Sequence, residues 1–178
     1  MFFKSHPVHP AIVHFPIAFL TFSHTIDILH YLTTNFSLPI LSTLTPFFPQ
    51  LLSTSRLLHT LGIFSAIPAI LTGIAQAAAQ AAKPGNLYEA DGKTIKKKFY
   101  VMATHAALND ISIIVSGVSW WSRYKAHGIL GASEPGVNEV GVAGVVLPVM
   151  LFAASLGADL VYKYGMGFSA AKSSKKDE

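Results

Sequence analysis

The sequence predicts an all-α, polytopic membrane protein built as a four-transmembrane-helix bundle, and three observations carry that prediction. The 178 residues are 51% hydrophobic and only 12% charged, about half the charge of an average soluble domain. Four segments, 11–32, 57–82, 99–121 and 141–163, each supply the roughly 20 apolar residues that a membrane-crossing helix needs. Aromatic side chains mark span ends: Phe99 and Tyr100 against Trp120, Trp121 and Tyr124 on the third, Tyr162 and Tyr164 on the fourth. Such side chains settle at the lipid–water boundary.

The first span begins almost at the N-terminus, yet it contains Asp27, His14, His24 and His30 and lacks a small-residue cleavage site. It therefore reads as a retained span and not as a removed signal. Pro7 and Pro10 disfavour helix just before them, and Pro16 falls early enough for its missing donor to lie near the first turn. The connection 33–55, uncharged and rich in proline, predicts an apolar loop lying in the interface or against a partner. The second span carries a seam of Gly62, Ala66, Ala69, Gly73, Gln76 and Gln80, on which another helix can approach closely. The loops 83–98 and 124–138 contain Gly and Pro turn signals and read as solvated.

The third span has a polar stripe, His105, Asn109, Ser112, Ser116 and Ser119, at helical spacing and so turned away from lipid. The fourth repeats the seam pattern with Gly141, Gly144, Pro148, Ser155, Asp159 and Tyr162. No internal repeat is evident, and the chain reads as one membrane domain, 1–178, ending in a basic tail at 165–178.

An even number of spans places the N-terminus, the 83–98 loop and the C-terminal tail on one side. Ten of the thirteen Lys and Arg residues lie there, leaving Arg56, Arg123 and Lys125 opposite. That bias predicts both termini on the cytoplasmic or matrix side. The net charge of +4 is too small for a nucleic-acid surface. Lys96, Lys97 and Lys98 read as a membrane flank with possible contact to anionic lipid head groups, cardiolipin among them. Cysteine is absent, which excludes disulfides, thiolate metal sites, iron–sulfur ligation and covalent c-type haem.

Histidine and carboxylate sites stay open. Asp27, Asp110 and Asp159 lie within or at the ends of spans, and a charge deep in lipid costs at least ~2.5 kcal/mol. Each must be paired, hydrated, neutral or near a boundary, and Asp110 lies deepest. A bis-histidine haem b needs imidazoles at matching depth on facing helices; the topology offers His14 with His105, or His24 or His30 with His59. The competing reading is structural, with His9 and His14 tying the start of the first span to its neighbours and a local bond from Asp27 occupying His24 or His30. A carrier centred on Asp110 and the His105 stripe is a third option, disfavoured by four spans without a repeat. No phosphate loop, nucleophile elbow or zinc-protease motif is present.

The stretches "HPAIVHFPIAF" at His9 to Phe19 and "LGADLVYKYGMGF" at Leu156 to Phe168 resemble the two ends of the DUF2231 family of small four-helix membrane proteins. The resemblance covers all four spans. It implies fold-defining roles for His9, Pro10, His14, Phe15 and Pro16, and for Leu160, Val161, Tyr162 and Gly165, and it transfers no catalytic residue and no cofactor. The lysine-rich loop and "THAALNDISIIVSG" further resemble the fungal member of that family, an accessory subunit of mitochondrial NADH:ubiquinone oxidoreductase, respiratory complex I. This implies a non-catalytic subunit among other membrane-arm subunits and phospholipids of the inner membrane, with both termini in the matrix.

Overall fold

The computed structural model describes residues 8–36, 39–129, 131 and 133–166. Its helices are α1 (Val8–Ile12), α2 (His14–Phe36), α3 (Pro39–Ser42), α4 (Phe48–Ala81), α5 (Lys97–His127) and α6 (Val137–Tyr162), with a 3-10 turn at Thr45–Phe47. Four continuous stretches, Val8–Phe36, Thr45–Ala81, Lys97–His127 and Val137–Tyr162, are long and apolar enough to cross a membrane. The Lys172–Lys176 cluster and most of the predicted basic tail lie outside the described residues.

Prolines decide several boundaries. Pro16 has no N–H to close on Ile12, and the helix breaks for one residue at Val13 between α1 and α2. The expected interfacial loop at 33–55 is instead largely helical. Residues 33–36 finish α2, and 48–55 form the first two turns of α4, where Phe48, Leu52 and Ser55 are buried. Pro49 is tolerated there because it sits in the first turn, where its N–H would have no partner anyway. The resulting α4 has 34 residues and a length of about 51 Å at 1.5 Å per residue. It outreaches a hydrocarbon core of about 30 Å.

The 83–96 connection is mostly exposed, as expected of a solvated loop, and is held in defined turns. Tyr88 and Ile95 form an antiparallel bridge, and the Asp91 side chain accepts from the backbone N–H groups of Lys93 and Thr94 at 2.9 Å each. Gly85 and Gly92 take the left-handed backbone, at φ +66° and +67°, that closes these turns. Lys96 Nζ donates to Gly85 O at 2.8 Å and Lys98 Nζ donates to Asn86 Oδ1. Two of the three flanking lysines are thus tied to the loop, and Lys97 is exposed.

The helices pack in a ring in the order α2, α4, α5, α6. The tightest contacts lie within two hairpins, α2 with α4 and α5 with α6. These hairpins share several buried positions and contacts. Leu20, Ser23 and Asp27 are buried in α2, and Ser116, Ser119 and Arg123 are buried in α5, each pair spaced like Asp27 and Arg123, 96 residues apart. In the second helices the buried Ala66 and Ala69 match the buried Met150 and Ala153 at a different, shorter offset.

The closest match concerns two histidines. His9 Nδ1 donates to Ala69 O at 3.0 Å, and its ring lies so close to Gly73 that a Cβ there would sit 2.9 Å from His9 Cε1. His105 Nδ1 donates to Ala153 O at 2.8 Å, and a Cβ on Gly157 would sit 2.8 Å from His105 Cε1. Each hairpin is pinned by an imidazole lying on an Ala-x-x-x-Gly step. An internal repeat not evident in the sequence is present in the structure.

The seam predicted on the second span faces inward: Gly62, Ala66 and Ala69 are buried, and Gly62 lies directly under Leu20. The seam predicted on the fourth does not. Gly141, Gly144, Pro148, Ser155, Asp159 and Tyr162 are all exposed. The buried face of α6 consists of Ala143, Val146, Met150, Ala153 and Leu160, because small apolar side chains, and not the glycines, meet the neighbouring helices. At the end of α6, Gly165 at φ +62° turns the chain so that Met166 N donates to Leu160 O at 2.8 Å. Met166 then closes a small core with Phe99 and Leu160. This accounts for Gly157, Leu160 and Gly165 in the C-terminal motif.

Candidate functional site

The polar residues of the bundle converge toward the end opposite the 83–96 loop. Asp27 on α2 and Arg123 on α5 form an ion pair at 2.6 Å, with both side chains almost completely shielded. Ser55 Oγ donates to the other carboxylate oxygen, Asp27 Oδ1, at 2.7 Å. Ser23 and Ser55 join the backbones of α2 and α4 beside it, with Ser23 Oγ donating to Ser55 O at 2.9 Å. Both oxygens of the carboxylate are therefore engaged, as a buried carboxylate requires.

Arg56 on α4 is the largest fully buried side chain of the described residues. Its Nη2 donates to Gly128 O at 3.1 Å, the carbonyl of the residue that ends α5. Arg123 Nη2 similarly donates to Ser133 O at 3.2 Å, so the two guanidinium groups tie Gly128 and Ser133 to the bundle. Trp120 Nε1 donates to Thr60 Oγ1 at 2.9 Å, and that hydroxyl donates to Arg56 O at 2.9 Å. Trp120 also stacks on Tyr124, with ring centroids 5.4 Å apart. The aromatic belt thus covers the polar layer from outside.

Ser116 organises the neighbouring layer. His59 Nε2 donates to Ser116 O at 3.1 Å, and His24 Nε2 is 3.1 Å from Ser116 Oγ. The two rings meet edge to face, with centroids 5.2 Å apart. This leaves no plane for a macrocycle between them. His30 lies edge-on against Phe48, with centroids 4.8 Å apart. His14 is exposed while His105 is turned onto α6. The directly contacting His24–His59 pair therefore lacks the geometry of a haem b site. Among the described residues no group of three or more His, Asp or Glu side chains is arranged to hold a metal ion.

The other sequence-derived candidates scatter. Ser112, Ser116 and Ser119 of the polar stripe are buried, and Asn109 Nδ2 folds back on His105 O at 2.8 Å. Asp110 and Asp159 are exposed on the outer surfaces of α5 and α6. Pro16 and Leu160 are buried, whereas Phe15 and Tyr162 point outward. Sequence reasoning missed Arg56 and Arg123, which it counted only as loop charges. Nothing local in the sequence marked either arginine as buried, because their partners Asp27, Gly128 and Ser133 lie on other elements.

An ion-paired polar layer enclosed by four membrane-length helices defines the molecule as a polytopic helical membrane protein. A family profile described as predicted membrane protein (DUF2231) matches residues 5–170, and the chain belongs to that family. No curated protein matches the chain. No solved structure matches it.

Proposed function

We propose that the protein is a non-catalytic accessory subunit of a larger membrane assembly, the membrane arm of mitochondrial complex I. It sits in the inner membrane with both termini in the matrix and supports assembly or stability through helix and lipid packing. The observation that carries the reading is Asp110. It lies near the middle of α5 and is exposed, flanked by Ile111, Ile114 and Val118 that are likewise directed outward. A carboxylate facing lipid at that depth costs at least ~2.5 kcal/mol, and a donor or cation on a partner helix removes that cost.

The outward seam of α6 supports the same reading, because Gly141 and Gly144 have nothing within 4 Å of an added Cβ and allow close helix approach. The sequence resemblance supplies the particular complex, and the lysine bias supplies the orientation. Gentle-detergent native electrophoresis of tagged protein from its own membranes, with mass spectrometry of the band, tests the proposal. Comigration with NADH-oxidising activity is expected. A small independent species would remove the basis for the assignment.

A further inference from the structure

A groove of about 330 Å³ lies between α5 and α6 of the second hairpin, within the range of small-molecule sites. Ile114, Val115 and Val118 of α5 and Val142 of α6 supply its apolar part, and Ser119, Ser122, Asn138 and Glu139 collect at one end. It opens outward, since Ile114 and Val118 are both exposed.

The first hairpin accounts for the space. Under the register that equates His9 with His105 and Gly73 with Gly157, Val115, Ser122 and Val142 fall where the first hairpin has Phe19, Ile26 and Leu58. Those three bulkier side chains are half-buried. Val118 likewise matches Phe22, and of the apolar positions only Ile114, which matches Ala18, runs the other way. The second hairpin thus lacks bulk that the first supplies from its own chain.

The polar end carries charge of both signs. Glu139, in the first turn of α6, is half-buried and has no ion-pair partner among the described residues. The helix dipole offers it only about half a positive charge. Lys125 is exposed and lies three residues beyond Ser122, hence on the same face of α5. Trp121 and Tyr124 pack together at this level, where aromatic side chains mark the lipid–water boundary. Ile114, two turns before Ser122, lies about 12 Å deeper along α5.

An occupant that fits has a hydrocarbon chain for the deep part, a hydrogen-bond-donating cation for Glu139 and an anion for Lys125. We propose that the α5–α6 groove binds one molecule of phosphatidylethanolamine, with an acyl chain along Val115, Val118 and Val142, the ammonium on Glu139 and the phosphate toward Lys125. Phosphatidylcholine carries the same charges, but its quaternary ammonium has no N–H to donate to the carboxylate. The site is independent of membership in complex I.

The test uses the full-length protein in detergent, read by native mass spectrometry. The gently purified wild type is expected to retain one phosphatidylethanolamine per chain. Delipidated protein is then titrated with phosphatidylethanolamine and with phosphatidylcholine of the same acyl chains. A charge-assisted hydrogen bond is worth about tenfold in affinity, so the wild type is expected to prefer phosphatidylethanolamine by about that factor and E139Q to bind the two alike. V115F, which restores the bulk of Phe19, is expected to bind neither. Melting of each variant in detergent checks that it is folded; should V115F fail to fold, the selectivities of the wild type and E139Q decide. No lipid bound by the wild type, equal affinity for the two lipids, or a preference that persists in E139Q overturns the proposal, as does a folded V115F that binds like the wild type. A protein chain retained in place of lipid and released by V115F overturns it in favour of a partner helix.

Discussion

Asp27 and Arg123 occupy the same position in the two hairpins, 96 residues apart, and meet at 2.6 Å. The two halves of a repeated structure thus contribute opposite charges to one bond. Removing either partner leaves an uncompensated buried charge, at a cost of about 3–5 kcal/mol. Asp27→Asn and Arg123→Met are each expected to lower the melting temperature sharply in detergent. The combined variant is expected to recover much of the loss, and a double-mutant cycle showing simple additivity would falsify the coupling.

The imidazole-on-glycine contacts predict steric effects of the same kind in both hairpins. Gly73→Ala and Gly157→Ala place a Cβ within 3.0 Å of the His9 and His105 rings, and each is expected to destabilise by about 1–3 kcal/mol through overpacking. Gly144→Ala meets nothing within 4 Å and serves as the control. Thermal melts that rank the three alike would contradict this packing.

Asp110 separates folding from assembly. Because its carboxylate faces outward, Asp110→Leu is expected to leave the isolated bundle at least as stable as wild type. In native gels the same variant is expected to release the chain from its complex. Retention at the wild-type level would show that the partner does not read this carboxylate.

Asp91 gives the 83–96 connection a pH dependence. The Thr94 hydroxyl, then the backbone N–H groups of Thr94 and Lys93, hold its carboxyl below the ordinary carboxylate range. Such a group stabilises the folded turn above its unfolded pKa, and the contribution is lost as pH falls through the depressed folded value. Amide exchange at Lys93 and Thr94 should accelerate, relative to the unstructured rate, across that acidic window. Asp91→Ala should abolish the dependence, and an unchanged profile in that variant would exclude Asp91 as its source.

Much of the fold was legible because spans and polar faces are local patterns. The Ser112, Ser116 and Ser119 stripe follows helical spacing and is buried, and Gly62, Ala66 and Ala69 mark a true contact face. The start of α4 was not legible, since a proline in a first turn and a proline that ends a helix look alike in sequence. The outward seam of α6 failed for a related reason: spacing identifies a face but not the direction in which it points. The ion-paired layer was hidden because it joins α2, α4 and α5 across long separations. The repeat that would have revealed it retains few identical residues beyond His9 and His105, Ser23 and Ser119, and the Ala and Gly of the two histidine steps.

The inequality of the two otherwise matched hairpins bears on how the chain selects its own partner. A pair of first hairpins would bring Asp27 against Asp27, and a pair of second hairpins Arg123 against Arg123. Repulsion between like charges in a medium of low polarity opposes both. Only one of each kind gives an attractive centre, so pairing of like hairpins is opposed at this position.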